Sequence, residues 1–262
     1  ALRRKLRYEH LVNVQQQELH QMKMDFFTHI SHEIRTPLTL IMGPVEMLMN
    51  KIPARAESYK LLLTIKSNAE RLLKLTTDLL EFRKADSGYT QLRISKENIV
   101  AFTQAVYGKF VAEAGKKAIA YTFETNVETI AVYFDPHQME MVLSNLLSNA
   151  LKFTPEGGKV TVGVEHTTED RVDIRVCDNG VGIPKESQEK IFTNFYQADS
   201  GKAQRIGSGI GLAFSKSLVE LHRGYLYFSS GENPENGSRE TCFVISLKLG
   251  TAHLNQSDLV LN

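Results

Sequence analysis

The sequence predicts an α+β chain in two parts: a helical hairpin that forms a dimeric four-helix bundle, followed by one sheet faced by helices. Three observations carry this. Residues 5–49 and 57–84 repeat apolar side chains at gaps of three or four, the period of an amphipathic helix. Asp86-Ser87-Gly88 then breaks the pattern. Beyond the break, strands and helices mix without a regular βαβ alternation.

In the first helix the stripe runs Tyr8, Leu11, Gln15 as its polar member, Leu19, Met22, Phe26, Phe27, Ile30, Ile34, Leu38, Ile41, Val45 and Leu48. At about 100° per residue, His32 points roughly 170° from the centre of the stripe and faces water, with Thr36 beside it. Pro37 crowds the carbonyl of Glu33 and removes one rung of the ladder. An exposed helical histidine is ordinarily an inert surface residue. The acid at Glu33, the hydroxyl at Thr36 and a helix-disrupting proline set this one apart. A zinc-protease H-E-x-x-H fails, because Thr36 stands where the second ligand must be. Asn50 to Pro53 ends the helix, and the second carries Leu62, Ile65, Ala69, Leu72, Thr76 and Leu79 at helical spacing. A lone hairpin cannot bury so wide a stripe, so a homodimer is expected.

The composition sets bounds. At 262 residues there is room for one large domain or two ordinary ones. The balance of 31 basic against 30 acidic residues gives no general attraction to nucleic acid, and no direct nucleic-acid partner is expected. Cys177 and Cys242 are too few for a disulfide framework and read as small core residues in a reducing compartment. No run approaches 18 apolar residues. The basic cluster Leu2-Arg3-Arg4-Lys5-Leu6-Arg7 fits the cytoplasmic flank of a membrane helix and fits an ordinary charged helix start as well.

In the second part the pattern predicts a strand near 91–94, a helix over about 96–114, strands near 119–124 and 129–133, and a helix opening at Asp135. Strands follow at 159–165 and 171–177, then a glycine-rich irregular region to about 208, a helix to 222, and a hairpin of 225–229 with 241–247 around Asn236-Gly237.

Three constellations stand out here. Asp135-Pro136 with Gln138 gives an N-cap, a proline at the first helical position and a capping-box partner. Along that helix Asn145, Asn149 and Lys152 form a polar stripe roughly 115° from the apolar one. An amide oxygen suits Mg²⁺ and a lysine suits phosphate, although a solvated face has the same pattern. In the second, Asp178 and the glycines Gly180 and Gly182 end a strand. Asn-Gly is ordinarily a hairpin turn, but Pro184 and a short helix over 185–192 follow, so a flat ligand donating an amino group to the carboxylate is the alternative. Third, Gly207, Gly209 and Gly211, followed by Leu212, open a helix and make an anion site of backbone N–H groups. The spacing is not the dinucleotide G-x-G-x-x-G. Between the last two, Phe192, Phe195 and Tyr196 belong to a lid with an aromatic hinge, or to a surface loop anchored by core aromatics.

In this order the pieces resemble a two-component sensor histidine kinase. FFTHISHEIRTPLT is similar to the H box, LSNLLSNALKFT to the N box, DNGVGIP to the G1 box, IFTNFYQ to the F box and GSGIGLAFSKSLVELHRG to the G2 box. The wording is most similar to hybrid two-component sensors of Bacteroides-type bacteria. The resemblance implies a signalling helix over 1–22, a dimerisation and histidine-phosphotransfer domain over 23–86, an α/β-sandwich ATP-binding domain of the Bergerat type over 89–249, and a linker or tail over 250–262. It implies that His32 attacks the γ-phosphate of ATP, that Glu33 takes or holds the proton on the other ring nitrogen, and that Thr36 helps place water for dephosphorylating a receiver. Asn149 would ligate Mg²⁺, Asn145 and Lys152 would meet the phosphates, and Asp178 would accept from the adenine amino group. Gly180 and Gly182 would give room, Phe195 and Leu212 would line the site, Gly207, Gly209 and Gly211 would form its phosphate side, and Thr241 would stand beside the aspartate. The partners implied are a second copy, a response-regulator receiver domain, and a membrane reached through a preceding segment, the whole lying on the cytoplasmic side of a bacterial inner membrane. One departure matters: Thr193-Asn194 stands where many family members carry a basic residue, and Lys202 or Arg205 would have to supply that charge, which leaves a phosphatase-biased sensor and a nucleotide-gated dimerisation module as the alternative readings.

Overall fold

The computed structural model describes residues 33–53, 56–86, 92–168, 170–194, 196, 209–232 and 239–254. The chain divides into two compact units, Ala1–Thr90 and Gln91–Asn262.

In the first unit, helix α1 occupies residues 33–49 and α2 spans Glu57–Asp86. The helix passes through Pro37, and His32 lies outside the described residues. A turn at 50–52 reverses the chain, and Glu46 of α1 bonds Lys66 of α2 at 2.8 Å. Within one chain the hairpin buries Leu38, Val45, Ala69 and Thr76. Ile34, Ile41, Leu48, Ile65 and Leu72, members of the same stripes, stay 38–48% exposed. Among the described residues, part of each apolar face is therefore left without cover by its own chain.

The second unit is built on a five-stranded sheet in the order β2-β4-β5-β7-β6, with a separate pair β1-β3. The strands are β1 Ser95–Asn98, β2 Ala120–Thr125, β3 Ala131–Phe134, β4 Lys159–Thr168, β5 Arg171–Asp178, β6 Tyr225–Glu232 and β7 Arg239–Lys248. β2 runs parallel to β4, and the other neighbours are antiparallel. Val172, Ile174 and Val176 of β5 and Ile245 and Leu247 of β7 alternate onto one buried face. Against it lie α3 (Ile99–Gly108), α5 (Pro136–Phe153) and α7 (Gly211–Leu221). α5 is the central element: Met139, Val142, Leu143, Leu147 and Leu151 have no exposed surface. Each contributes about 1.5–3 kcal/mol by leaving water.

Several expectations are corrected. The strand expected near 91–94 lies at Ser95–Asn98, and the helix expected from 96 begins at Ile99. Ser95 to Asn98 pair with Phe134 to Ala131, so tertiary strand pairing overrides the helical pattern, and Asn98 caps the helix by accepting from the Val100 N–H at 3.2 Å. That helix also ends at Gly108, with α4 (Val111–Lys116) resuming after Lys109 and Phe110. The short helix after Pro184, α6, is Lys185–Gln188 rather than 185–192. Cys177 and Cys242 are not isolated core residues. They face each other across β5 and β7, half-buried, with Cα atoms 4.0 Å apart, and are joined as a disulfide. A spacing of 65 residues gave no sign of this, because the pairing depends on the register of two strands distant in sequence.

Candidate functional site

The residues singled out in the second unit meet where the C-terminal half of α5, the end of β5, the start of β7 and the start of α7 come together. α5 is fixed at its first turn. The Asp135 carboxylate accepts from the N–H groups of His137 and Gln138 at 3.0 and 3.2 Å, as an N-cap should. The expected return bond from Gln138 is absent: its Oε1 is buried without a partner, and the Asp135 N–H donates instead to Nε2 of His222 at 3.0 Å. His222 is 1% exposed, and its Nδ1 bonds the Leu218 carbonyl at 2.7 Å. With Nε2 accepting, the ring is neutral and carries its proton on Nδ1. This histidine ties the start of α5 to the end of α7.

Two turns along α5, Asn145 Nδ2 donates to Ser215 Oγ of α7 at 2.9 Å. Gly211, the first residue of α7, lies against the same amide; a Cβ there would stand 2.5 Å from Asn145 Oδ1. Asn149, one turn on, is half-exposed and makes no side-chain hydrogen bond with the described residues. Lys152 is half-buried, and its Nζ lies 4.4 Å from the centre of the Phe153 ring. The polar stripe is thus divided: Asn145 is engaged by α7, and Asn149 is open.

At the end of β5, Asp178 is 7% exposed, and its Oδ1 accepts from the Gly180 N–H at 2.9 Å. Burial pushes its carboxyl up from 3.8 to about 6, against the lowering effect of the Gly180 bond, while Glu240 raises it further. Gly180 is required by contact. A Cβ would come 2.4 Å from the Phe153 carbonyl oxygen, which also accepts from the Val181 N–H at 3.3 Å. Gly182 is required by conformation, at φ 73°, and Arg239 packs over it with Nη1 donating to the Val181 carbonyl at 3.0 Å. Asn179 does not make a hairpin; its Oδ1 accepts from the Lys159 N–H and pins the start of β4. Across the sheet, Thr241 pairs with Asp178 in register and is 4% exposed. Its hydroxyl shares a 2.9 Å bond with Ser230 Oγ, which accepts from the Ile183 N–H at 3.0 Å. The glycine loop therefore hangs from Asp178 at one end and from the Ser230–Thr241 pair at the other.

At α7, Gly209 takes φ 69°, and the N-cap position is held by Ile210, whose apolar side chain makes no cap bond. An uncapped first turn displays N–H groups to an anion. Leu212 is half-buried in that turn. Gly207, Phe195, Lys202 and Arg205 lie outside the described residues. Phe192 sits in T-shaped contact with Phe228 of β6 and Phe243 of β7, which anchors residues 191–194 on the sheet. In the first unit, Glu33 and Thr36 are exposed on α1. Sequence patterns missed Ser215, Ser230, His222 and Arg239, whose roles arise from contacts across 11 to 87 positions.

Among the described residues no group of three or more His, Cys, Asp or Glu side chains is placed to hold a metal. An open amide oxygen at Asn149 nevertheless fits Mg²⁺ of the kind carried by substrate phosphates with one or two protein ligands.

Comparison with known proteins gives the family of each unit. Residues 134–251 match the family "Histidine kinase-, DNA gyrase B-, and HSP90-like ATPase", and residues 22–88 match the "His Kinase A (phospho-acceptor) domain". Histidine kinase P4 of Formosa agariphila is 38% identical over 99% of this chain and 19% of its own length. Sensor histidine kinase WalK of Bacillus subtilis is 32% identical over 83% of this chain and 36% of its own. The chain thus spans well under half the length of these curated relatives. Among solved structures, full-length ShkA in complex with AMPPNP superposes with a TM-score of 0.71 at 25% identity, over 87% of this chain and 46% of that one. Histidine kinase ThkA in complex with the response regulator TrrA gives 0.60 at 26% identity, over 86% and 61%.

Proposed function

Because the chain belongs to the two-component sensor histidine kinases, as their catalytic core, we propose that it transfers the γ-phosphoryl group of ATP to His32 and then to an aspartate of a receiver domain. One observation carries the nucleotide half of this reading. Asp178 is a buried acceptor whose Oδ1 takes the Gly180 N–H, while its Oδ2 makes no hydrogen bond among the described residues, so the carboxylate can accept from the exocyclic amino group of a planar base. The adenine would lie there, with Thr241 and Ser230 holding the far wall. The phosphates would reach the uncapped first turn of α7 at Gly209, Gly211 and Leu212, with Lys152 adding charge. Gly182, Gly207 and Phe195 complete the proposed lining. Asn145, held by Ser215, would fix the α5 side of the phosphate path.

Asn149 would hold Mg²⁺, which when bound neutralises charge on the transferring phosphate. The rest falls to the chain itself. His32 attacks phosphorus through one ring nitrogen, a P–N bond forms as the bond to the bridging oxygen breaks, and ADP leaves. Glu33 holds the proton on the other nitrogen, which keeps the attacking lone pair free. Thr36 orients water when the receiver is dephosphorylated. In this reading the chain would lie on the cytoplasmic side of a bacterial inner membrane, where ATP is found; no helix among the described residues is itself long and apolar enough to cross a membrane. Residues 23–86 would be the dimerisation and phosphotransfer domain, and 89–249 the ATP-binding domain. The half-exposed stripes of α1 and α2 call for a second copy. Calorimetric titration with ADP tests the site: wild type binds, and Asp178→Asn weakens binding about tenfold or more, the worth of a hydrogen bond to a charged group. Equal affinity in the two proteins would sink the adenine assignment.

A further inference from the structure

Cys177 and Cys242 occupy the rung of the sheet next to the Asp178–Thr241 pair. Their side chains turn to the face opposite the nucleotide site, because β5 and β7 alternate, and both are half-buried. From this placement we infer that the two cysteines are a reversible thiol–disulfide modification site whose state sets how tightly the Asp178 pocket holds adenine nucleotide. The inference rests on the ATP-binding reading above. A domain that consumes ATP works among reduced thiols, and a disulfide formed there is ordinarily transient and redox-sensing rather than a structural staple.

The coupling is mechanical and short. The glycine loop hangs from Asp178 on β5, through the Gly180 N–H, and from Ser230, which accepts from the Ile183 N–H and is bonded to Thr241 on β7. The Cys177–Cys242 bond holds β5 and β7 at a Cα spacing of 4.0 Å one residue from both suspension points. When the bond is reduced, the two sulfurs separate to van der Waals contact. The strands spread at that rung, and Thr241 moves off Asp178, carrying Ser230 and the loop with it. The oxidised form therefore has the preorganised pocket.

The oxidant is a low-molecular-weight disulfide such as oxidised glutathione. One cysteine thiolate attacks a sulfur of the small disulfide and expels one small thiolate. The second cysteine thiolate attacks the mixed disulfide at the protein sulfur and expels the other. The protein loses two electrons, the small disulfide gains them, and the two thiol protons end on the two released thiols.

The test uses the whole 262-residue chain, equilibrated with oxidised glutathione or with a phosphine reductant. Free thiols are counted by alkylation and mass after denaturation, and ADP affinity is measured by calorimetry. The expected result is loss of both free thiols in the oxidised sample and a Kd for ADP at least threefold lower than in the reduced sample. The double variant Cys177→Ser with Cys242→Ser, and the single variant Cys242→Ala, should bind like the reduced form whatever the oxidant. Both thiols remaining free in oxidised glutathione, or equal affinity in the two redox forms, overturns the proposal and leaves the kinase reading standing. Failure of both forms to bind ADP overturns the kinase reading, and the proposal with it.

Discussion

At the scale of single residues, the site is a set of close approaches that tolerate no substitution. Gly180→Ala places a methyl group 2.4 Å from the Phe153 carbonyl oxygen, against backbone that cannot swing away. The variant should lose about 2 kcal/mol of stability in urea titration and lose ADP binding with it. Asp178 shows the opposite balance. Its carboxyl is raised from 3.8 to about 6, so the native state holds the proton longer than the unfolded chain does. Stability from this group therefore falls as pH rises from about 4 to about 6 and is level above that. Asp178→Asn removes the cost of a buried charge, and at pH 7 the free protein should melt about 2 °C or more higher even as it binds nucleotide worse. Wild-type affinity for ADP should fall as pH drops through about 6, where the acceptor carboxylate is lost, and the variant should show no such step. The placement of Asp178 and Gly180 at the end of β5 was legible in sequence because a strand end, an acid and two glycines leave a local signature. Ser230 and Arg239 left none, since their contacts to Ile183 and Val181 depend on strands folded together from far apart.

At the scale of elements, α5 carries the site and His222 sets it in place. The sequence marks both ends of α5, through Asp135-Pro136 and the Asn145, Asn149, Lys152 stripe, because capping and helical period are local. The Asp135 N–H was expected to bond Gln138 and bonds His222 instead, since a tertiary acceptor 87 positions away fits that donor better than the neighbouring side chain does. His222→Ala should cost about 3 kcal/mol in urea titration, by emptying a buried site and stranding the Asp135 N–H. The shift of β1 to Ser95–Asn98 has the same origin: pairing with β3 decides the conformation of a segment whose local pattern reads as helix. The disulfide between β5 and β7 is also an effect of register, invisible until the two strands are paired.

At the scale of the whole molecule, the proposed function would divide the chemistry between a phosphate acceptor on the first unit and a nucleotide site on the second. Exposed Ile41, Leu48, Ile65 and Leu72 give the helical unit a reason to pair, and Ile41→Glu with Ile65→Glu should shift the chain from dimer to monomer in sedimentation velocity. The H-E-x-x-T-P run beginning at His32 is the part of the account that only chemistry can test. The decisive measurement is incubation with Mg²⁺ and γ-labelled ATP, followed by acid and alkali treatment, for wild type and for His32→Gln. The account predicts label on wild type that is lost in acid and kept in alkali, and none on the variant. Label that persists in His32→Gln, or no label on a wild-type protein that binds ATP, would contradict it.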